Sequence, residues 1–146
     1  MKPKRSIAYI LLLTIFIFSC TPDNSNIKYG YHSNKEIRFI KRYKNNLLEG
    51  QSQWFYEDGT IEQTVRFNEG KESGSAYYFH EDGTLKSCRH WRGGKMVGYA
   101  TDYYDDTLEI IKSILLFNSD GHLVYKKNFD TTGHLIGEEG MRPEIH

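Results

Sequence analysis

Cysteine is scarce in this chain of 146 residues, where only Cys20 and Cys88 occur. A scaffold held by several disulfides is therefore excluded. An excess of charge of one sign is also missing, since 19 Lys and Arg stand against 19 Asp and Glu. Without a basic surplus there is no electrostatic footprint for nucleic acid, and none is expected as a partner. Long apolar runs are absent. The longest extends from Ile7 to Phe18 and is broken only by Thr14. As a helix it would reach about 18 Å, against a hydrocarbon core of about 30 Å, so a permanent membrane span is the weaker reading. Aliphatic side chains are few as well. Between Gly50 and Gly98 eight aromatics accompany five aliphatics, namely Ile61, Val65, Leu85, Met96 and Val97. A two-layer core would want more Leu, Ile and Val, whereas a thin sheet lined by broad aromatic rings suits this inventory.

What the chain does contain is an internal repeat. Gly50-Gln-Ser-Gln-Trp54-Phe55-Tyr56-Glu57-Asp58-Gly59-Thr60-Ile61 is echoed without a gap by Gly74-Ser-Ala-Tyr77-Tyr78-Phe79-His80-Glu81-Asp82-Gly83-Thr84-Leu85. The match continues at the same offset from Phe67-Asn-Glu-Gly70-Lys71 to Trp91-Arg-Gly-Gly94-Lys95. A fixed period of this size marks a repeat architecture. A degenerate first copy puts Tyr31 under Phe55 and Ile37 under Ile61, with Lys35 and Asn46 where the turn glycines stand later. A third copy from Gly98 decays, and Gly121 and Gly133 then mark units of half the length.

Each copy carries two turn signals, Asp-Gly and a later Gly, between short segments rich in aromatic and β-branched residues. The fold class expected is all-β, an elongated antiparallel meander of stacked β-hairpin repeats with a period of about 24 residues. A three-residue turn at Glu57-Asp58-Gly59 would set Phe55 opposite Ile61 and Phe79 opposite Leu85. The same logic sets Tyr103 opposite Leu108. Ile61, Val65 and Phe67 are expected on one face, and Ile110 to Phe117 reads as a buried strand.

The start of the chain has a different character. Lys2, Lys4 and Arg5 precede the apolar run, as in a secretory signal peptide. Ile17-Phe18-Ser19-Cys20 resembles a bacterial lipobox, with Phe18 bulkier than usual. The resemblance implies cleavage after residue 19 and lipidation of Cys20, which would leave Cys88 without an intramolecular partner. The expected organisation is a lipoprotein signal peptide over 1–19, a lipidated Cys20 and tether over 20–26, a repeat domain over 27–139 and a frayed C-terminus over 140–146. The mature chain would hold 16 Lys and Arg against 19 Asp and Glu, a net charge of −3. That balance suggests no polybasic patch for anionic lipid.

The repeat unit, Gly-x-x-x-x-aromatic-Tyr-Glu-Asp-Gly-Thr-Ile closed by Phe-Asn-Glu-Gly-Lys, resembles the bacterial MORN-repeat variant, over residues 50–98 above all. Proteins of that kind are often labelled antitoxins. The resemblance implies stacked hairpins, a non-catalytic binding role and no catalytic residues to carry over. It fits a protein-binding module anchored in the bacterial cell envelope on the periplasmic or surface side. Two alternatives are an antitoxin or immunity protein with a cognate toxin, and a passive structural component of the envelope.

Candidate chemistry is thin. The acidic pairs Glu57/Asp58, Glu81/Asp82 and Asp105/Asp106 could suggest a calcium ladder, yet Asp before Gly is ordinary turn chemistry and no calcium loop is present. Among six histidines none has the spacing of a zinc site. Gly-x-Ser-x-Gly and phosphate-cradling loops are absent. No enzyme activity, cofactor or metal is expected. The aromatic stripe is the one feature suited to binding. Trp54 and Tyr78, with Tyr56, His80 and Tyr104, are expected on the face opposite Phe55 and Phe79, where they would be partly exposed to an unidentified protein partner. Unpaired sheet edges would also invite self-association.

Overall fold

A computed structural model describes residues 25–105 and 110–141. The stretch expected as a signal peptide, Cys20, Leu108 and the last five residues lie outside them. The described residues form thirteen strands in a single antiparallel sheet. In chain order these are β1 (Ser25–Tyr31), β2 (Ile37–Lys44), β3 (Leu47–Leu48), β4 (Gly50–Phe55), β5 (Ile61–Asn68), β6 (Lys71–Glu72), β7 (Gly74–Phe79), β8 (Leu85–Arg92), β9 (Lys95–Met96), β10 (Gly98–Tyr103), β11 (Ile111–Phe117), β12 (Leu123–Phe129) and β13 (Leu135–Gly140). The sheet is a meander in the order β1-β2-β4-β5-β7-β8-β10-β11-β12-β13, while the two-residue strands β3, β6 and β9 pair back onto β2, β5 and β8. Among the described residues the first strand begins at Ser25, within the stretch expected as a tether, and the last ends at Gly140.

The turns behave as glycine chemistry demands. Gly59 sits at φ +88° and Gly83 at φ +84°. The Gly59 N–H donates to Tyr56 O at 3.0 Å and the Tyr56 N–H to Thr60 O at 2.8 Å, closing a three-residue loop. Phe55 therefore pairs with Ile61 and Phe79 with Leu85, as expected. The degenerate copy folds in the same way, with Lys35 held at φ 73° and Asn46 at φ 65° where later copies have glycine. In the third copy the Tyr104 N–H reaches Ile110 O, so the loop is longer and Tyr103 pairs with Ile111, not with Leu108.

A β-bulge follows each of these loops. Trp54 pairs with Gln63 and Phe55 with Ile61, which leaves Glu62 as the extra residue. Lys86 and Lys112 are extra in the same way. The bulge swings Glu62 to the side of Gln63, and Ile61 follows Phe55 to the other side. This corrects the expectation that Ile61 shares a face with Val65 and Phe67.

Beyond the bulges the register does not slip. One row of paired residues crosses the sheet from β1 to β13: Gly30, Phe39, Trp54, Gln63, Tyr78, Ser87, Asp102, Ser113, Asn128 and Gly137. On this face the deepest positions are small. Ser52, Val65, Ala76, Ser87, Ala100 and Ser113 are all buried, roofed by the larger side chains beside them. The aromatics form that roof and are only partly covered. The expected buried strand is corrected likewise, because Ser113 alone is buried in β11 and its aliphatic residues are half-buried.

Asp58 and Asp82 spend their carboxylates on the turns, accepting the N–H of Thr60 at 2.8 Å and of Thr84 at 2.9 Å. Asp130 does the same for Thr132 and His134. Hydrogen bonds from Thr60, Thr84 and Thr132 hold all three carboxyls below the ordinary aspartate range. A depressed folded-state pKa contributes stability above the unfolded value, about 3.9, and loses it as pH falls through the folded one. Thermal melts of the Asp58→Asn/Asp82→Asn/Asp130→Asn chain are therefore expected to lie below wild type at neutral pH. They should also show a smaller further loss below about pH 4. Parallel curves at all pH values would contradict this.

Candidate binding face

The five nominated residues fall into two groups. Trp54 and Tyr78 both pair with Gln63, one from each side, so they share a face. Their spacing is two strands, about 9.5 Å. Alternation along β4 and β7 puts Phe55 and Phe79 on the opposite face. The stripe extends further than expected, since Phe39 pairs with Trp54 on the same face. Lys41 Nζ lies 4.5 Å from the Phe39 ring centroid and 5.1 Å from that of Trp54, a cation shared between two rings. Phe39 and Lys41 escape a reading of the sequence because the first copy aligns weakly there.

Tyr56, His80 and Tyr104 form a separate column with His32, one residue per repeat, and three of the four staple one hairpin to the next. The Tyr56 hydroxyl donates to Phe79 O at 2.7 Å and the Tyr104 hydroxyl to Phe129 O at 2.8 Å. His32 Nε2 meets Phe55 O at 2.7 Å. His80 differs: its Nδ1 lies 3.6 Å from Asp105 Oδ1, while Nε2 is buried with no hydrogen-bond partner among the described residues.

Beside the stripe lies an open groove of about 280 Å³, walled by Tyr78, Trp91 and Met96 and rimmed by Glu62, Lys86 and Arg89. The bulges supply its charged rim by turning Glu62 and Lys86 toward the side of Gln63 and Ser87, a placement that strict alternation would deny. Burial pushes the Tyr78 hydroxyl above the ordinary tyrosine range; the Glu72 carboxylate adds to the rise, and Arg89 and Trp91 oppose it. The Trp91 indole N–H influences that hydroxyl without meeting hydrogen-bond geometry. Arg89 is fixed in place, donating to Cys88 O and Thr101 O at 3.0 Å each and to the Asp102 carboxylate. Ser113 Oγ donates to the other carboxylate oxygen at 2.6 Å.

No protein-family model matches this chain, and no curated protein matches it. Three chains of solved structures do match. One is described as accessory secretory protein 1, 2 and 3 in Streptococcus pneumoniae, at 12% identity and a TM-score of 0.34. It covers 72% of this chain and this chain spans 17% of it.

The opposite face holds exposed rings that the repeat pattern does not flag. Tyr77 is 41% and Tyr99 57% exposed. Neither has an aromatic counterpart in the adjoining copies, since Gln53 and Thr101 match Tyr77 and Ser75 matches Tyr99. Cys88 pairs with Tyr77 and Thr101 within the sheet, as a small strand residue would. Among the described residues no group of His, Cys, Asp and Glu is placed to hold a metal ion, and no helix is long and apolar enough to cross a membrane.

Proposed function

We propose that this chain is a non-catalytic repeat lipoprotein, anchored through Cys20 in the bacterial cell envelope, that binds another protein. The lipobox resemblance supports the anchor, and the likeness of the repeat unit to the bacterial MORN variant supports the binding role. The carrying observation is the Phe39–Trp54–Tyr78 stripe beside the groove, half-exposed rings held in fixed register with charged groups at the rim. Aromatic and arginine anchors around a shallow apolar groove are the composition of protein-binding hot spots. The partner class is a protein with an apolar or aromatic segment flanked by charges of both signs.

The test is capture from native envelope extract by the tagged full-length chain, beside a Trp54→Ala/Tyr78→Ala variant and a Tyr77→Ala/Tyr99→Ala variant. One stoichiometric protein is expected on the wild type and on the second variant. The first variant should bind it at least about 30-fold more weakly. Retention by the first variant and loss by the second would move the site to the opposite face. Capture of no specific protein by a folded chain would overturn the reading.

A further inference from the structure

We infer that copies of this chain join head to tail, with β13 of one copy pairing antiparallel to β1 of the next. Among the described residues both strands are the outer members of the sheet. The path holds ten strands that alternate in direction, so the first and last run oppositely and can meet without breaking the alternation.

The internal joints fix how they would meet. Three junctions link the second strand of one hairpin to the first strand of the next, through Phe39–Trp54, Gln63–Tyr78 and Ser87–Asp102, and the β11–β12 hairpin carries the row on through Ser113–Asn128. All four pairs lie on the same row. That row begins at Gly30 on β1 and ends at Gly137 on β13, so a further junction like the first three sets Gly137 against Gly30 of the next copy. Two residues along, Glu139 then faces Lys28 of the next copy.

The charges suit this register. Inside the chain Lys28 is paired directly with Lys41, a like-charge pair that costs stability, although each ammonium also lies over a ring. Glu139 is paired with Lys126. A head-to-tail contact extends this row to Lys126, Glu139 and the next copy's Lys28, and it gives Lys28 a carboxylate directly across the strand pair. More broadly, residues 25–48 hold six Lys and Arg and a single acidic residue, while β13 holds two Glu and no Lys or Arg. The balanced net charge conceals this division. Joining two β13 strands would instead set Glu against Glu. A heterologous contact of this kind has no two-fold axis to end it at a dimer, so the product is an open array, or a ring where the rotation between copies closes. Its assembly buries the exposed Ile27 and Tyr29 of β1 along a shared edge with Leu135 and Ile136 of β13.

The test uses sedimentation velocity of the full-length chain in a mild detergent over a wide concentration range. Wild type is expected to form a concentration-dependent series of oligomers. Lys28→Glu and Glu139→Lys should each weaken association about tenfold, and the neutral Lys28→Gln and Glu139→Gln about threefold. The decisive sample is an equimolar mixture of Lys28→Glu and Glu139→Lys. There every joint in an alternating array meets opposite charges, and association should return to the wild-type level. A misfolded variant cannot be rescued by mixing, so recovery excludes loss of fold as the cause. A wild-type chain that stays monomeric throughout would overturn the proposal. So would variants that associate as wild type does, or a mixture no stronger than its parts.

Discussion

Replacing Ala76 by leucine is expected to cost about 2–3 kcal/mol, the range of overpacking in a filled site. Ala76 is completely buried although the sheet is a single layer. Arg89 is paired directly across from it, and Tyr78 stands two residues along on the same face. The register that sets Gln63 against Tyr78 sets Val65, itself buried, against Ala76 from the other side. Three added carbons must lift Tyr78 and Arg89, and Arg89 is held by two carbonyls and the Asp102 carboxylate. Ser75, the preceding residue, is exposed on the opposite face. Ser75→Leu is therefore expected to change stability by less than about 0.5 kcal/mol. Urea melts should separate the two substitutions, with the Ala76→Leu midpoint well below wild type. Equal midpoints would mean that the small residues of this face are not its tightly packed layer.

The contrast between those neighbours marks where sequence reasoning succeeds and stops. The pairing of Phe55 with Ile61 was legible because Asp-Gly admits few turn geometries, and loop length then sets register. The partner of Tyr103 was not, because the third turn lacks its glycine. The loop there lengthens until Tyr104 finds Ile110, and Ile111 takes the place expected for Leu108. The bulges at Glu62, Lys86 and Lys112 left no compositional mark. They are a backbone response to the twist beside a tight loop, yet they decide which charges rim the groove. The thin cover over the aromatics was legible in part: the rings do lie along a thin sheet, but apart from the buried Tyr125 they shelter Ser, Ala and Val instead of forming the interior. On the nominated face, the shared side of Trp54 and Tyr78 was legible from the match between copies. The roles of Tyr56 and Tyr104 were not, because a hydroxyl that reaches a carbonyl on the next hairpin depends on stacking that one repeat cannot encode.

That stacking leads to the second large effect, expected on removing Arg89. Each full hairpin of the repeat is a long ladder, with six paired positions between β7 and β8, whereas the β8–β10 junction has two. Repeats in such an array part most easily at their interfaces. Arg89 bridges this one by bonding Cys88 O on its own strand, Thr101 O on β10 and the Asp102 carboxylate, which Ser113 holds from β11. Side-chain exposures of 20% and 30% leave the ion pair partly shielded from water. Arg89→Leu should then cost about 2 kcal/mol, chiefly through the charge-assisted hydrogen bonds it removes and the carboxylate it strands. Asp102→Leu leaves Arg89 its two carbonyls and should cost less. The double variant Arg89→Leu/Asp102→Leu should recover part of the loss, because two apolar side chains strand no charge. Native-state hydrogen exchange gives the sharper readout. In Arg89→Leu the amides of β10 to β13 are expected to exchange sooner while those of β4 and β5 keep wild-type protection. Uniform acceleration across the whole sheet would mean that the repeats unfold as one unit and that Arg89 is not the link between its halves.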